Sequence, residues 1–379
     1  MDETLKIDLT DIDFSTIDKY LTVDVKLVSD ILKQLNSIIN LKGSRLARGI
    51  TIKVWDKDTI FIVCPNELYF FKAELHCTTT FDSDTYIYID YNTIQKLLRF
   101  INTDFYIFKM NDKYYLRLTT GNLELISPDL DNDEKKKVDY KFNIKDNKYS
   151  FNTEELHVLE SLYSITDFEI EQNKRWVTVK NNIATFKSPL LMAKANFDFI
   201  NVKIEYKILN YLLYLCNNAY QGTFIDIYEV ESSIIPKYAI CYNNTMLISS
   251  YARSTEDTKI LNLFEDLPKF TIIDYSDLKY KLEYADSITY AKNVVTFINR
   301  DDKLIGKIKL QNNSETEVEI PVLGEMCLKR SEQIKVNFKT LLIALNALNA
   351  DPSLETYFGL KNGLLYLINS DVSLALVTF

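Results

Sequence analysis

The sequence predicts an α+β fold built from six repeated strand–helix–strand units, which pair into three domains. Three observations predict it. Alternating stretches rich in Tyr, Ile and Val are typical of antiparallel strands, while Gly (8) and Pro (7) are scarce among the 379 residues. Short amphipathic helices interrupt these strands six times, at spacings of 53 to 69 residues. Two polar segments, 127–141 and 252–269, divide the six units into pairs.

Each repeat begins with the same local pattern: an apolar residue, a polar capping residue, and a helix of about three turns. The six stretches are 21–36, 88–102, 149–163, 203–216, 272–285 and 335–349. The capping residues are Asp24, Asp90, Asn152, Glu205, Asp274 and Asn337. Asp and Asn side chains accept hydrogen bonds from the first helical turn and suit its positive end, so Glu205 is the poorest predicted cap.

Every predicted helix carries one apolar stripe, as expected for a helix with one face on a sheet. In the first helix the stripe consists of Val28, Ile31, Leu32, Leu35, Ile38 and Ile39, and in the second of Ile94, Leu97, Leu98 and Ile101. Between the helices, "KNN" and "NRDD" predict hairpin turns between alternating strands. Each unit is therefore predicted to contain one helix and several antiparallel strands.

The predicted boundaries are an acidic extension at 1–20 and domains at 21–128, 140–253 and 268–379. Segment 127–141 has almost no apolar content and is predicted to be a solvated linker. The second linker has an apolar middle, so part of it is expected to dock.

Composition excludes several classes of protein. The longest notable apolar run, 208–216, is far shorter than the roughly 20 residues of a membrane span, and the acidic N-terminus lacks the pattern of a signal peptide. The five scattered cysteines predict free thiols in a reducing compartment. We therefore expect a soluble, cytoplasmic protein that does not bind a membrane.

The sequence offers little for catalysis. It has two histidines, His76 and His157, and no glycine-rich phosphate loop. Segment 129–133, "DLDND", begins like a calcium loop, but Glu134 and Tyr140 occupy the positions that need Gly and Glu. We expect neither an enzyme nor a cofactor.

Residues 20 to 379 resemble the bacterial-type DNA sliding clamp family, the beta subunit of DNA polymerase III. The resemblance rests on the sixfold repeat and on the last helix, "FKTLLIALNALN", which is similar to the family's "LNAL" helix, followed by a final strand "VSLALVTF". It implies three domains with helices on the inner face and sheets outside. It also implies a head-to-tail homodimer that encircles duplex DNA as a replication processivity factor. The Asn-, Ile-, Lys- and Tyr-rich composition suggests an AT-rich genome, such as a phage, in which case the protein would act in the host cytoplasm or otherwise at the nucleoid.

Outward helix positions lean basic within a chain of net charge −9, as a surface near phosphates requires. The predicted DNA-facing residues on the helices are Lys26, Lys33, Lys96, Arg99, Lys207, Lys279 and Lys339. Matching loops of the first two domains approach the DNA backbone in the family, so the resemblance implies that Lys42, Arg45, Arg48, Lys174 and Arg175 also face DNA. Asn210, Tyr211, Tyr214 and Thr340 are predicted on the same outward faces. The third helix dissents, with Glu154, His157 and Glu160. Ordinary solvated lysines are the alternative explanation.

The resemblance also implies an apolar pocket that holds peptides of the DNA polymerase and the clamp loader. Its residues would be Pro189, Met192, Leu267, Pro268, Leu374 and Leu376, with plain core packing as the alternative for each. The family's "TDGHRLA" turn is missing, since "KSPLLMA" stands there. A non-catalytic structural or assembly protein built of the same repeats is the alternative function.

Overall fold

A computed structural model describes most of the chain. The described residues are 7–8, 17–39, 42–66, 68–101, 103–167, 175–220, 222–232, 235–254, 257–267, 270–289, 291–310, 314–326, 328–330, 332–348 and 355–379. Their helices are α1 (Val25–Leu35), α2 (Tyr91–Leu97), α3 (Asn132–Val138), α4 (Leu156–Asp167), α5 (Tyr206–Asn218), α6 (Thr258–Leu263), α7 (Tyr275–Thr289) and α8 (Phe338–Leu348).

The strands of the first half of the chain are β1 (Ile7–Asp8), β2 (Lys19–Asp24), β3 (Gly49–Val54), β4 (Thr59–Pro65), β5 (Tyr69–His76), β6 (Thr78–Thr79), β7 (Tyr86–Asp90), β8 (Asp104–Met110), β9 (Lys113–Leu118), β10 (Gly121–Leu125), β11 (Ile144–Asn152), β12 (Trp176–Lys180), β13 (Ile183–Lys187) and β14 (Leu191–Asn196). Those of the second half are β15 (Val202–Glu205), β16 (Phe224–Val230), β17 (Lys237–Tyr242), β18 (Thr245–Ser250), β19 (Ala252–Arg253), β20 (Thr271–Ile273), β21 (Ala291–Arg300), β22 (Lys303–Leu310), β23 (Glu315–Ile320), β24 (Val322–Leu323), β25 (Gln333–Asn337), β26 (Thr356–Lys361), β27 (Leu364–Ile368) and β28 (Val372–Val377).

All six predicted repeats are present. Each consists of a first strand, a helix and an antiparallel meander of three strands. The first strands are β2, β7, β11, β15, β20 and β25, and the meanders are β3–β5, β8–β10, β12–β14, β16–β18, β21–β23 and β26–β28. The repeats therefore confirm the predicted α+β class and its sixfold organisation.

The repeats exchange strands in pairs. In the first pair β2 adds to the meander of repeat 2 through β8, and β7 adds to the meander of repeat 1 through β3. Repeats 3 and 4 do the same through β11–β16 and β15–β12, and repeats 5 and 6 through β20–β26 and β25–β21. The main strands of each pair of repeats thus form two antiparallel sets of four, because the helix of each repeat lies between a strand of one set and the strands of the other. Most of these sets join into larger sheets.

The structure divides into two compact units, residues 1–150 with 224–251 and residues 151–223 with 252–379. Unit 1 contains sheets ordered β1-β10-β9-β8-β2-β6 and β11-β16-β17-β18-β5-β4-β3-β7. Fully buried Phe71, Phe105 and Phe108 belong to its core. The apolar stripes of α1 and α2 are buried as predicted, apart from half-buried Leu98.

Unit 2 contains sheets ordered β19-β15-β12-β13-β14-β28-β27-β26-β20-β24 and β23-β22-β21-β25. Within it α4 packs on α5 and on α8, and α7 packs on α8. Fully buried Phe151, Phe297 and Phe358 contribute to its core. The two units cut across the domains predicted from sequence, so the boundaries 21–128, 140–253 and 268–379 stay predictions.

Two strand pairs explain why the units cut across those boundaries. In unit 1, β5 of repeat 1 pairs with β18 of repeat 4, from Tyr69–Ser249 to Ala73–Thr245. In unit 2, β14 of repeat 3 pairs with β28 of repeat 6, from Leu191–Leu376 to Ala195–Val372. Both junctions join the third strand of one meander to the third strand of another. Each runs antiparallel over five residue pairs.

The predicted hairpin turns are confirmed. Asn181 and Asn182 have φ angles of 53° and 60°, and Asp301 and Asp302 have φ angles of 54° and 61°. Two consecutive positive φ angles define the type I′ turn, whose twist matches that of the flanking strands, and Asn and Asp tolerate this conformation best among residues with a side chain.

The first linker differs from its prediction, because it contains the helix α3. Asp131 and Glu134 form a capping box at its start. Leu130 and Val138 are buried in a core cluster of unit 1, 6 % and 4 % exposed. Two buried apolar side chains in an otherwise polar segment therefore dock it on the sheet.

Candidate nucleic-acid interface and partner surface

The capping residues set the start of each repeat helix. Asp24 accepts from the Lys26 N–H at 2.8 Å and Asp90 from the Thr93 N–H at 3.1 Å. The side chains of Asn152, Asp274 and Asn337 accept in the same way from the backbone N–H groups of Glu154, Asp277 and Thr340, at 3.0, 2.9 and 3.0 Å. Glu205 makes no capping hydrogen bond through its side chain. Five of the six predicted capping residues therefore accept a hydrogen bond from the turn that follows them, and Glu205, predicted to be the poorest cap, does not.

Unit 1 exposes basic side chains on the outward faces of α1 and α2. Lys26 and Lys33 are exposed on α1, and Lys96 and Arg99 are exposed on α2 and the 3₁₀ turn that follows it. Lys33 lies 3.2 Å from Asp30, a surface pair whose side chains are both more than half exposed. Such pairs contribute little energy, so the amine stays available to a phosphate.

Unit 2 has basic residues on the outward positions of three helices. Lys339 is exposed on α8, while Lys207 on α5 and Lys279 on α7 are half-buried. The Lys279 amine lies 3.9 Å from Glu283 of the same helix. Tyr280, beside it, is 67 % exposed.

The helix α4 does not share this basic character. Glu154 and Glu160 are exposed, and His157 lies 3.3 Å from Asp371 and 3.1 Å from the carbonyl oxygen of Glu154. This face is acidic, as the sequence indicated, and it is the helix least suited to a phosphate backbone.

Two predicted outward residues are corrected by the structure. Tyr211 is completely buried and Thr340 is 1 % exposed. Thr340 lies in the first turn of α8, where its backbone and hydroxyl both bond to Asn337. Tyr211 lies on the buried side of α5, between Ile208 and Leu215, because the apolar face of this helix is wider than one stripe.

The loop after α1 separates its three basic residues into different roles. Lys42 and Arg48 are exposed, whereas Arg45 is half-buried. The Arg45 guanidinium donates to both carboxylate oxygens of Glu134 and to the Asp129 carbonyl, and it lies 5.9 Å from the centre of the Tyr88 ring. Arg45 therefore holds the linker helix α3, which favours a structural role for it over contact with DNA.

A second ion pair anchors the other end of α3. Lys53 is 8 % exposed and bonds to Asp139, which also accepts from the hydroxyl of Tyr86. Burial alone lowers the pKa of Lys53, but the hydrogen bond and charge of Asp139, together with Tyr86 and Asp84, raise it, so the net shift of the pKa is upward. This anchor was not predicted from the sequence, where the local signal for a helix was the capping pattern D-x-x-E at 131–134.

The loop before β12 is described only in part. Lys174 lies outside the described residues. Arg175 is half-buried, with its guanidinium 5.3 Å from the centre of the Tyr206 ring. Tyr206 in turn stacks on Tyr163, and their hydroxyls lie 2.7 Å apart. The arginine thus sits at the N-terminal end of α5.

The predicted partner pocket is only partly assembled by the structure. Met192 is half-buried on β14 and pairs with Ala375 of β28, while Leu374 pairs with Ala193. Directly paired residues share a face and neighbours along a strand alternate, so Leu374 points away from Met192. Leu374 and Leu376 are completely buried and belong to the core, which corrects their assignment to the pocket.

The face that carries Met192 has a different set of apolar neighbours. Tyr366 of β27, paired with Ala375, is on this face, and its hydroxyl donates to the Leu263 carbonyl at 3.1 Å. Phe264 and Phe270 lie against the Tyr366 ring, at 6.0 and 5.7 Å between centres. The second linker thus docks through Tyr366, as its apolar middle predicted.

Of the other pocket residues, Pro189 is exposed, Leu267 is half-buried, and Pro268 lies outside the described residues. The partner surface is hereafter the candidate set Pro189, Met192, Leu267 and Phe270. Met192 shares its face of the sheet with Tyr366, and Phe270 lies against the Tyr366 ring.

The described residues contain no group of three or more side chains suited to a metal ion. Burial raises the pKa of the Cys64 and Cys216 thiols to about 12 and that of the Cys77 and Cys241 thiols to about 11. These four thiols are free but protonated near neutral pH, so they are poor nucleophiles. Within the described ranges, no helix is both long and apolar enough to cross a membrane.

Comparison with solved structures decides the fold. A beta sliding clamp of C. crescentus matches with a TM-score of 0.72 and 15 % identity, over 95 % of this chain and 99 % of that one. The DNA polymerase III beta subunit of Thermotoga maritima gives 0.74 and 12 %, and that of Streptococcus pneumoniae 0.71 and 12 %, with the same coverage of both chains. The chain has the sliding-clamp fold.

No protein-family model and no curated protein matches the sequence. The sliding-clamp fold is therefore visible here through structure and through the repeat pattern, and not through overall sequence similarity. At 11 to 15 % identity the likeness shows the fold, and the role of each surface has to be argued from its own chemistry.

The contrast between Arg45 and Arg48 is testable. Arg45→Met removes hydrogen bonds to a carboxylate and leaves Glu134 without this cation, so we expect the free energy of unfolding to fall by about 1–3 kcal/mol. The matched variant Arg48→Met alters an exposed side chain and should change it by about 0.5 kcal/mol or less. Urea unfolding followed by circular dichroism measures both. Equal losses in the two variants would show that Arg45 is not the anchor of α3.

Proposed function

We propose that the chain is a DNA sliding clamp, a non-catalytic ring that tethers replication proteins to duplex DNA. The observation that carries the proposal is the rule by which the repeats join. Third meander strands pair between repeats 1 and 4 and between repeats 3 and 6. Each pairing joins a repeat to the repeat three positions later in the chain. Continued in the same way, repeat 5 would pair with repeat 2 of another copy.

This rule supports a head-to-tail homodimer. The third strand of repeat 5 is β23 and that of repeat 2 is β10, and they lie in different sheets of the chain. Pairing β23 of one copy with β10 of the next uses two different surfaces, so the interface is heterologous, and such an interface gives a ring when the rotation closes. Closure with two copies is what the resemblance to the sliding-clamp family implies.

The basic helix faces suit the proposed contact with DNA. Lys26, Lys33, Lys96 and Arg99 in unit 1, with Lys207, Lys279 and Lys339 in unit 2, occupy outward positions in a chain of net charge −9. Lys42 and Arg48, in the loop after α1, and Arg175, in the loop before β12, are further proposed contacts with phosphates. Lys174 is proposed from the sequence alone. A topological ring needs only weak, sequence-independent phosphate contacts, which lysines provide.

The partner surface is the proposed binding site for the DNA polymerase and the clamp loader. A ring of this kind acts on a chromosome or on a phage genome in the cytoplasm. The alternative function, a structural or assembly protein, would use the same sheets but has no need for basic helix faces.

Topological linkage tests the function. After loading onto nicked circular DNA, the protein should stay bound through gel filtration at moderate salt and should be lost when a single restriction cut makes the DNA linear. The physical reason is that a closed ring can leave only over an end. The same circle carrying a bound protein block on each side of the cut site is the control, since it should retain the ring after cutting. Loss from the uncut circle at the same rate as from the linear molecule would exclude a clamp.

Charge reversal tests the DNA-facing residues. The double variant Lys26→Glu/Lys96→Glu should weaken binding to a short duplex and reduce the slope of log affinity against log salt by about 1–2, since each phosphate contact contributes about 0.9. The control Lys57→Glu/Lys137→Glu makes the same change of charge on exposed lysines of a hairpin turn and of α3. Fluorescence anisotropy measures both. An identical slope in the two double variants would mean that these helix faces do not contact phosphates.

The partner surface is tested separately. Met192→Lys places a charge in the apolar patch, so we expect loss of processive primer extension by the DNA polymerase of the same genome, with retention on circular DNA unchanged. Met246→Lys is the matched control, because Met246 is also a half-buried methionine on a junction strand, paired with Lys72 of β5. The unfolding midpoint of both variants is measured to confirm that they are folded. Full processivity of the Met192→Lys variant would show that the polymerase binds elsewhere.

A further inference from the structure

The outer edge of β10 is occupied by the short strand β1 of the same chain. The strand β1 pairs antiparallel with it, with Ile7 opposite Leu123 and Asp8 opposite Asn122. These two positions lie in the middle of β10, which runs from Gly121 to Leu125.

The strand β1 is not part of the repeat pattern. Three other two-residue strands, β6, β19 and β24, follow the meanders of repeats 1, 4 and 5, and each pairs with the first strand of its own repeat. By contrast, β1 precedes the first repeat and pairs with a third meander strand. The strand β1 therefore pairs with the edge of a third meander strand, as the strands of both junctions do. The other short strands pair with first strands instead.

A strand edge presents one row of N–H and C=O groups and can pair with one neighbour on that side. Both junctions in this chain need five consecutive residue pairs. The strand β10 has only five residues, and β1 takes two of its central ones. While β1 is in place, β23 of another copy cannot pair with β10 along a junction of the same length.

We propose that residues 7–8 cap the ring-closing edge of β10, so that the N-terminal segment competes with a second copy of this chain and controls subunit association. The inference rests on the proposed clamp function. The cap covers two residues whereas the incoming strand covers five, so a second copy displaces it at sufficient concentration.

Proline substitution tests the cap in the full-length chain. The variant Ile7→Pro/Asp8→Pro has no N–H groups to donate to β10, so the dimer dissociation constant from sedimentation velocity should fall by about tenfold or more, as expected for losing competing strand hydrogen bonds. Ile7→Val is the matched control, because it keeps the N–H and a β-branched side chain, and it should dimerise like the unaltered chain.

A reversible crosslink tests the same contact in the opposite direction. Residues directly opposite in an antiparallel pair have Cα atoms about 4.5–5.5 Å apart, which a disulfide spans. Asp8→Cys/Asn122→Cys should be monomeric when oxidised and should dimerise again when reduced. The unaltered chain, oxidised in the same way, controls for its other cysteines.

The outcomes separate this inference from the clamp function. If the proline variant, its control and the oxidised double cysteine variant all dimerise like the unaltered chain, the cap is wrong while the ring stands. If none of them dimerises and none is retained on circular DNA, the clamp function fails and the cap fails with it. Tighter dimerisation of the proline variant, together with loss of dimerisation only in the oxidised state, supports the cap.

Discussion

The pairing of third meander strands is the interaction on which the rest of this architecture depends. An open strand edge exposes unpaired backbone groups and invites association, so a protein with six three-stranded meanders has six such edges to satisfy. Four of them are satisfied within the chain, by β5 with β18 and by β14 with β28. The other two, on β10 and β23, are the edges that the proposed ring would join. In that ring, assembly is the same pairing pattern continued from one copy to the next.

The exchange of first strands places the helices consistently with this rule. Because each repeat gives its first strand to the partner sheet, every repeat helix connects two sheets and buries an apolar face. Its opposite face is left without a sheet to cover it, whatever residues it carries. A net acidic chain can therefore concentrate lysines on these faces, while its glutamates pair with basic residues on outer strands, as Glu317 does with Arg300 and Lys307. Charge segregation of this kind needs no change in fold.

Much of the fold was predictable from sequence because its determinants are local. A capping residue, a stripe and a turn such as Asn181–Asn182 each act over a few residues, and their recurrence revealed the repeats. The linker helix α3 was not predictable, because its docking depends on Arg45 and Lys53, which are 89 and 86 residues away from their partners. The assignment of Leu374 to the pocket was wrong for a related reason. Alternation says that Leu374 and Met192 lie on opposite faces only once the register of β14 against β28 is known.

Identity of 11 to 15 % with clamps that cover the same length shows how little sequence the fold requires. Caps, stripes and alternation tolerate wide substitution, since each asks for a class of residue and not for a particular one. Strand edges that pair with another strand tolerate less change, because their backbone groups must be unpaired along the whole strand before a second strand can add to them. The strand β1 is outside the sixfold pattern. If β1 caps this edge, as we propose, a strand of two residues is enough to alter how readily β10 accepts a partner, and assembly can be adjusted without changing any of the six repeats.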